Sequence, residues 1–372
     1  MSNLFLGALS GTSMDSIDVA LFDFSHGKVI CLASESSEFP KTIKKEILSL
    51  MTGQHSKESE DRLNDELAFL FSQAITQLLS KPEIDRSDIG CIGLHGQTLL
   101  HNPDANPPVS LQLGNPKIVA KNTQIKTVAN FREKDIRAGG QGAPLAPLFH
   151  EYAFSEIGVR KIVLNIGGIA NISILPPTKE EKVSGFDTGP GNTLLDQWIQ
   201  KNKKKSFDDD GVWAKTGTVS KELLANMLSD TFFTLDPPKS TSVEHFNLRW
   251  LEKNMQKCGG RLKSEDVQAT LVELAAITIA NSIKTRSINE IIICGGGLYN
   301  SFLQERIIMN LGEAKGIKIS NPLEYDIHPK LVEAGLFAWL GMRHVENKPV
   351  DTRKITGATK PKLLLGELYE PS

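Results

Sequence analysis

Cysteine is scarce in this chain, and what there is shows no metal or redox spacing. The four residues, at positions 31, 91, 258 and 294 of 372, form no C-x-x-C pair and do not cluster with histidine. A disulfide scaffold or a structural zinc site is therefore excluded, and reduced thiols are expected. Nor does charge of one sign dominate. Forty-two lysines and arginines face 44 aspartates and glutamates, which leaves no field for wholesale binding to nucleic acid or an anionic membrane, so a small-molecule partner is favoured. Nowhere do about 18 apolar residues run uninterrupted, and the opening Met-Ser-Asn-Leu-Phe-Leu-Gly has no basic stretch before its short apolar run. Neither a membrane span nor an export signal is expected, which points to the cytoplasm.

Several familiar catalytic signatures are missing too. Without G-x-x-x-x-G-K-[ST] there is no P-loop, and no G-x-G-x-x-G follows a strand to make a dinucleotide-binding unit. G-x-S-x-G and H-E-x-x-H are also absent, which argues against a serine hydrolase of the α/β type and against a zincin.

What is present is an α/β pattern used twice. The apolar run Leu4–Leu9, the polar turn Ser10–Ser16 and the apolar run Ile17–Phe24 read as strand, turn, strand. Ile162–Ile166, Gly167-Gly168 and Ile169–Leu175 repeat the plan nearly half a chain length later. With a length sufficient for two cores, this suggests two related lobes. A helix is expected over Asp266–Thr285, with Val267, Leu271, Leu274 and Thr278 near one face and Ser264 capping its start. The apolar strand Ile291–Cys294 and the turn Gly295-Gly296-Gly297 follow it, an order typical of parallel α/β architecture. Lys201–Asp210, with three lysines at 203–205 and three aspartates at 208–210, reads as a solvated loop.

Four turns carry residue types suited to phosphate and sugar chemistry. In Ser10–Asp18, glycine and small hydroxyl residues let backbone N–H groups approach phosphate, and Asp15 and Asp18 suit a hydrated Mg²⁺. The same residues also make an ordinary hydrogen-bonded turn. Asn165–Asn171 offers a second phosphate turn, and Gly295–Gly297 would let a nucleotide lie close to the backbone. Gly185–Asn192 places one carboxylate, Asp187, just before the helical stretch Thr193–Gln200; that residue is either a general base or a helix-terminus aspartate. Gly93–Thr98, with His95 and Gln97, and Asn130–Pro144, with Arg132 and Arg137, could supply imidazole, amide and guanidinium donors to a hydroxyl-rich ligand. Arginine is the residue type expected for a carboxylate.

Together these residues resemble the anhydro-N-acetylmuramic acid kinase family, from Gly11 to Leu340. The matching stretches are Gly11–Asp18, Gly93–Thr98, LQLGNP at 111–116, Asn130–Pro147, Leu164–Asn171, Phe186–Asn192, FDDDGVWA at 207–214, PPKST at 237–241 and Cys294–Asn300. The resemblance implies a two-lobed actin-like ATPase (ribonuclease H-like) fold with a cleft between related lobes. The expected division is residues 1–155 with the return of 340–372, and residues 156–339. It also implies a reaction: ATP and water convert 1,6-anhydro-N-acetylmuramic acid to N-acetylmuramic acid 6-phosphate in peptidoglycan recycling, with a homodimer as the working form.

Carried over by position, Gly11, Thr12, Ser13, Met14, Asp15, Ser16, Ile17 and Asp18 would bind ATP phosphates, with Asp15 and Asp18 on Mg²⁺. Gly167, Gly168, Gly189 and Gly295–Gly297 (Gly295, Gly296, Gly297) would complete the nucleotide site. Asp187 would be the base, and His95, Gln97, Arg132, Asn171 and Glu333 would meet the sugar, Arg132 rather than Arg137 taking its lactyl carboxylate. Two positions depart from the family: Ser16, and Ser242 after PPKST, stand where it usually has glycine, and a Cβ at either bears on nucleotide affinity. Two other readings are an ATP-independent hydrolase using Asp187 with Glu333, and a non-catalytic sugar or nucleotide sensor of the same fold.

Overall fold

The computed structural model describes residues 2–11, 14–51, 56–103, 105–284, 286–312 and 316–371. Thr12 and Ser13, expected to bind phosphate, lie outside the described residues. The chain forms two compact units, residues 1–153 with 325–372, and residues 154–324.

The first unit contains β1 (Leu4–Ser10), β2 (Ser16–Asp23), β3 (Ile30–Glu38), α1 (Lys41–Met51), α2 (Lys57–Leu79), β4 (Ile89–Asn102), β5 (Val109–Leu113), α3 (Pro116–Thr123), β6 (Thr127–Ala129), α4 (Glu133–Arg137) and α5 (Ala146–Phe154). The second contains β7 (Lys161–Ile166), β8 (Ile169–Leu175), β9 (Ser184–Pro190), α6 (Thr193–Lys203), α7 (Lys221–Leu228), α8 (Leu248–Met255), α9 (Ser264–Ile283), β10 (Glu290–Cys294), α10 (Ser301–Leu311) and β11 (Lys318–Ser320). The chain then returns to the first unit with α11 (Val332–Val345) and β12 (Glu367–Tyr369).

Both units share one topology. In the second the strand order is β11-β10-β7-β8-β9; in the first, β12-β6-β4-β1-β2-β3. Each has an antiparallel three-strand meander whose first strand pairs in parallel with the next, β1 with β4 and β7 with β10. This ribonuclease H-like plan, present twice, is what the two hairpins foreshadowed. The third strand of the first meander escaped the sequence reading: β3 alternates between exposed and half-buried positions, so it offers no apolar run to read.

The return to the first unit begins at Tyr325, earlier than the expected 340, because the whole of α11 docks on β1 and β4. A Cβ at Gly7 would fall 1.8 Å from the Ala334 carbonyl oxygen, and one at Gly93 1.9 Å from that of Phe337. The two glycines thus let helix backbone rest on strand backbone. The opposite face of the sheet is covered by α2, whose Leu63, Leu67, Phe71, Ile75 and Leu78 are buried, each such side chain contributing roughly 2 kcal/mol.

In the second unit α9 departs from its expected form. It begins at Ser264 with no side-chain cap, and Val267–Ala276 are buried without interruption. It packs against α10, α7 and α6 and against the sheet at β9 and β8, so no polar face was needed and the amphipathic expectation fails. Lys201–Asp210 is also more than a solvated loop. α6 runs to Lys203, the Asp208 carboxylate accepts from the Trp213 and Ala214 amides, each at 2.9 Å, and the Ser301 amide donates to Asp210 at 2.8 Å.

Candidate active site

In the second unit the chemistry centres on Asp187 of β9. Its position is prepared by a bulge: Asn171 pairs with Asp187 and Ala170 with Gly189, leaving Thr188 as the extra residue. Bulges re-aim side chains in this way, and they recur beside active sites. The segment 239–241 runs alongside, with the Asp187 amide donating to the Lys239 carbonyl at 3.0 Å and the Thr241 amide donating to Asp187 Oδ2 at 2.9 Å. Burial pushes the Asp187 carboxyl up from 3.8 to about 6, against the lowering effect of the Thr241 N–H. Such a group is ionised yet still basic at neutral pH. The Thr241 hydroxyl, which the sequence reading did not single out, is buried with no hydrogen-bond partner among the described residues. A cavity of about 210 Å³ lies behind β9, lined by Phe186, Thr188, Lys239 and Arg286 among others, but Asp187 does not line it.

The glycine turns of this unit converge on Asn192. Its Nδ2 donates to the Ile166 carbonyl at 3.0 Å, and a Cβ on Gly296 would come 3.2 Å from the same nitrogen. The amides of Gly191 and Thr193 donate to the Gly168 carbonyl, and that of Asn192 to the Gly167 carbonyl. Gly295 has φ +76°, and a Cβ there would fall 2.5 Å from Asn165 Oδ1. Gly167, Gly168, Gly295 and Gly296 therefore offer bare backbone, a fit for a nucleotide, whereas Gly297 is buried and a Cβ there would meet the Ile166 side chain at 2.4 Å. Gly189 is accounted for differently: a Cβ would meet the Phe233 ring at 2.8 Å, so packing demands this glycine.

In the first unit the turn after β1 is less simple than expected. Met14 and Ile17 are core residues, 4% and 1% exposed, so their side chains turn away from any ligand. Asp15 is exposed and ion-paired with Lys44 at 3.2 Å. Asp18 accepts from the Ser16 hydroxyl at 2.9 Å and from the Ser36 hydroxyl at 2.6 Å, one on each oxygen. Each Asp18 oxygen keeps lone-pair capacity. No group of three or more His, Cys, Asp and Glu that could hold a metal occurs among the described residues.

Arg132, His95 and Glu333 come together in this unit. Arg132 begins α4, and its Nη2 lies 3.0 Å from His95 Nε2. His95 Nδ1 lies 3.1 Å from the Gly96 carbonyl oxygen, and its ring stacks on Phe337 of α11 at 4.3 Å. Burial and the neighbouring Arg132 charge hold the imidazole near 3, while burial lowers the guanidinium to about 10 despite Glu333. The Glu333 carboxyl is raised by crowding and by Asp18 and lowered by Arg132, although its side chain remains solvent-exposed, which tempers the shift. Two of the expected sugar contacts are tied into the chain itself. Both ring nitrogens of His95 are engaged by the chain itself, and Gln97 is 1% exposed with its amide on the Thr98 carbonyl. The Gln97 Oε1 atom is buried with no hydrogen-bond partner among the described residues.

A model of the anhydro-N-acetylmuramic acid kinase family matches residues 3–371. The chain belongs to that family. A relative of that name from Coxiella burnetii is 42% identical, the match covering 98% of this chain and 97% of the relative. One from Saccharophagus degradans is 42% identical, with 99% of each chain covered. Among solved structures, component A of (R)-2-hydroxyglutaryl-CoA dehydratase from Acidaminococcus fermentans aligns with a TM-score of 0.47 at 12% identity, covering 91% of this chain and 98% of that one. As a member of the kinase family the protein is an enzyme that phosphorylates an amino sugar with ATP in peptidoglycan recycling. The hydrolase and sensor readings are not favoured. Among the described residues no helix is long and apolar enough to cross a membrane.

Proposed function

We propose that Asp187 is the general base of this kinase. It takes a proton from a water molecule whose oxygen bonds to the anomeric carbon of 1,6-anhydro-N-acetylmuramic acid. The C1–O6 bond breaks, its electron pair stays on O6, and O6 takes the γ-phosphoryl group of ATP, giving N-acetylmuramic acid 6-phosphate and ADP. The observation that carries this reading is the crowded Asp187 carboxyl, held by the Thr241 amide and shifted to about 6, which combines ionisation with basicity at neutral pH. The unpartnered Thr241 hydroxyl suits the same water as a hydrogen-bond partner.

Arg132 is assigned to the lactyl carboxylate, because a desolvated guanidinium with most of its donors uncommitted is the group that binds such an anion best. Glu333 and Asn171 are assigned to the sugar's polar groups. The bare backbone of Gly167, Gly168, Gly295 and Gly296 supports nucleotide binding, and Asp18, through its free lone pairs, is the better of the two expected Mg²⁺ carboxylates. Magnesium would supply neutralisation of the phosphate charge that phosphoryl transfer requires. A homodimer and a cytoplasmic location complete the proposal on the family resemblance alone.

The test incubates the protein with the anhydro sugar, with and without ATP and Mg²⁺, in H₂¹⁸O. A sugar 6-phosphate carrying ¹⁸O on C1, formed only with ATP, is expected. Label elsewhere, or ring opening without nucleotide, would overturn the mechanism.

A further inference from the structure

His95 has no side-chain nitrogen left for a ligand, yet it stands beside the one guanidinium assigned to the substrate. Its position is specified by the backbone. Along the β1–β4 pairing, Ala8 faces Leu94 and Leu9 faces Gly96, so His95 is the extra residue of a bulge. Gly96 makes this bulge possible: its φ is +77°, and a Cβ would fall 2.2 Å from the Leu113 carbonyl oxygen. The bulge turns the imidazole out of the strand's alternation and onto the Phe337 ring.

The hydrogen bonds then determine the tautomer. A carbonyl oxygen can only accept, so Nδ1, 3.1 Å from the Gly96 oxygen, carries the proton. Guanidinium nitrogens can only donate, so Nε2, 3.0 Å from Arg132 Nη2, is the bare acceptor. Arg132 is held from the other side as well. Phe131, next to it, is buried against Phe337 at 5.6 Å, and the loop at Gly142 lies over its Cβ. One N–H of Arg132 is thus committed to His95, and the plane of the guanidinium is set by a ring that is itself clamped.

Resting on the assignment of Arg132 to the sugar's carboxylate, we infer that His95 is a positioning residue: as the Nδ1–H tautomer it accepts from Arg132 and orients the guanidinium for its anionic partner. It acts on affinity for the carboxylate-bearing sugar and takes no part in the proton and phosphoryl transfers. A positively charged side chain or one without an acceptor at this position leaves the guanidinium free to rotate. A merely structural histidine would have no such dependence on Arg132.

The experiment is a double-mutant cycle with rescue, read in KM for 1,6-anhydro-N-acetylmuramic acid and in kcat. His95→Phe keeps an aromatic ring against Phe337 but removes the acceptor, and His95→Gln keeps an acceptor oxygen. In the wild-type background His95→Phe should raise KM about tenfold, the typical effect of losing one charge-assisted hydrogen bond, with kcat within about twofold, and His95→Gln should recover most of the loss. In an Arg132→Met background the same His95→Phe change should add nothing. Equal penalties in both backgrounds would mean that His95 acts independently of Arg132 and would overturn the inference, as would an unchanged KM. If Arg132→Met by itself left KM unaltered, it is the carboxylate assignment that fails, a distinct outcome. A far-UV circular dichroism spectrum and a cooperative unfolding transition like those of the wild type show that each variant has folded.

Discussion

Replacing Asp187 by asparagine should abolish activity and, above neutral pH, stabilise the protein. The two effects have one cause. The carboxyl is shifted from 3.8 to about 6 because burial disfavours its charged form. The folded chain therefore holds that proton to a higher pH than the unfolded chain does. The favourable contribution of the protonated group is complete below about pH 4, declines as pH rises, and is gone once pH has passed 6. Above that, the ionised carboxylate costs the fold up to about 3 kcal/mol, from 2.2 pH units at about 1.4 kcal/mol each, less whatever water at this half-buried position screens. The amide oxygen of asparagine can still accept from the Thr241 N–H, so the substitution removes the charge and keeps the bond.

Two assays bear on this. Thermal or urea unfolding of wild type and Asp187→Asn at pH 5 and pH 8 should show the variant gaining relative stability between the two. The wild-type kcat/KM should carry an acid limb near pH 6, since roughly a tenth of the base is ionised at pH 5 and roughly nine-tenths at pH 7. In the variant turnover should fall by about 100- to 10,000-fold, the usual share of a general base. A variant that is less stable at pH 8 would show that the carboxylate is a structural anchor whose charge the fold uses. An acid limb near pH 4 would show that desolvation does not act on it. Either result refutes the reasoning.

Further outcomes follow from the first unit. Asp135 is completely buried, with Oδ2 accepting from the Gly142 amide at 2.7 Å and Oδ1 from the Thr356 hydroxyl at 2.8 Å, so it straps the Arg132 loop to the C-terminal segment. Asp135→Ala should cost about 3 kcal/mol and lower the unfolding midpoint by roughly 5–10 °C. A shift below 2 °C would show that the strap is replaceable. Ser16→Gly removes one of the two hydroxyls on Asp18, so the Mg²⁺ concentration for half-maximal activity should drop by roughly threefold; an unchanged or higher requirement would remove Asp18 from the metal's surroundings.

The parts of the site that were legible in the sequence are those where one residue type is needed for a local reason. Gly295 was visible because only glycine tolerates φ +76° against Asn165, and Asp187 because a carboxylate among glycines ahead of a helix is unusual. That the Met14 and Ile17 side chains join the core was not legible, because a phosphate-loop motif says nothing about which of its side chains turn inward. Thr241 was quoted only as part of PPKST, since a threonine carries no sign of being left without a partner.

By itself, the sequence determined the family, the repeated strand-turn-strand plan and the identity of the carboxylates and glycines, because these depend on residue type and on separations of a few residues. Tertiary structure alone decided what those groups do with one another. The bulge at His95 brought that ring to Arg132, and the bulge at Thr188 with the segment 239–241 built the environment that shifts Asp187. It also decided that α11, two hundred residues and more downstream in the chain from Arg132, belongs to the same unit. Hydrogen-bond partners, desolvation and charge proximity are properties of distances through space, and a linear order of residues does not contain them.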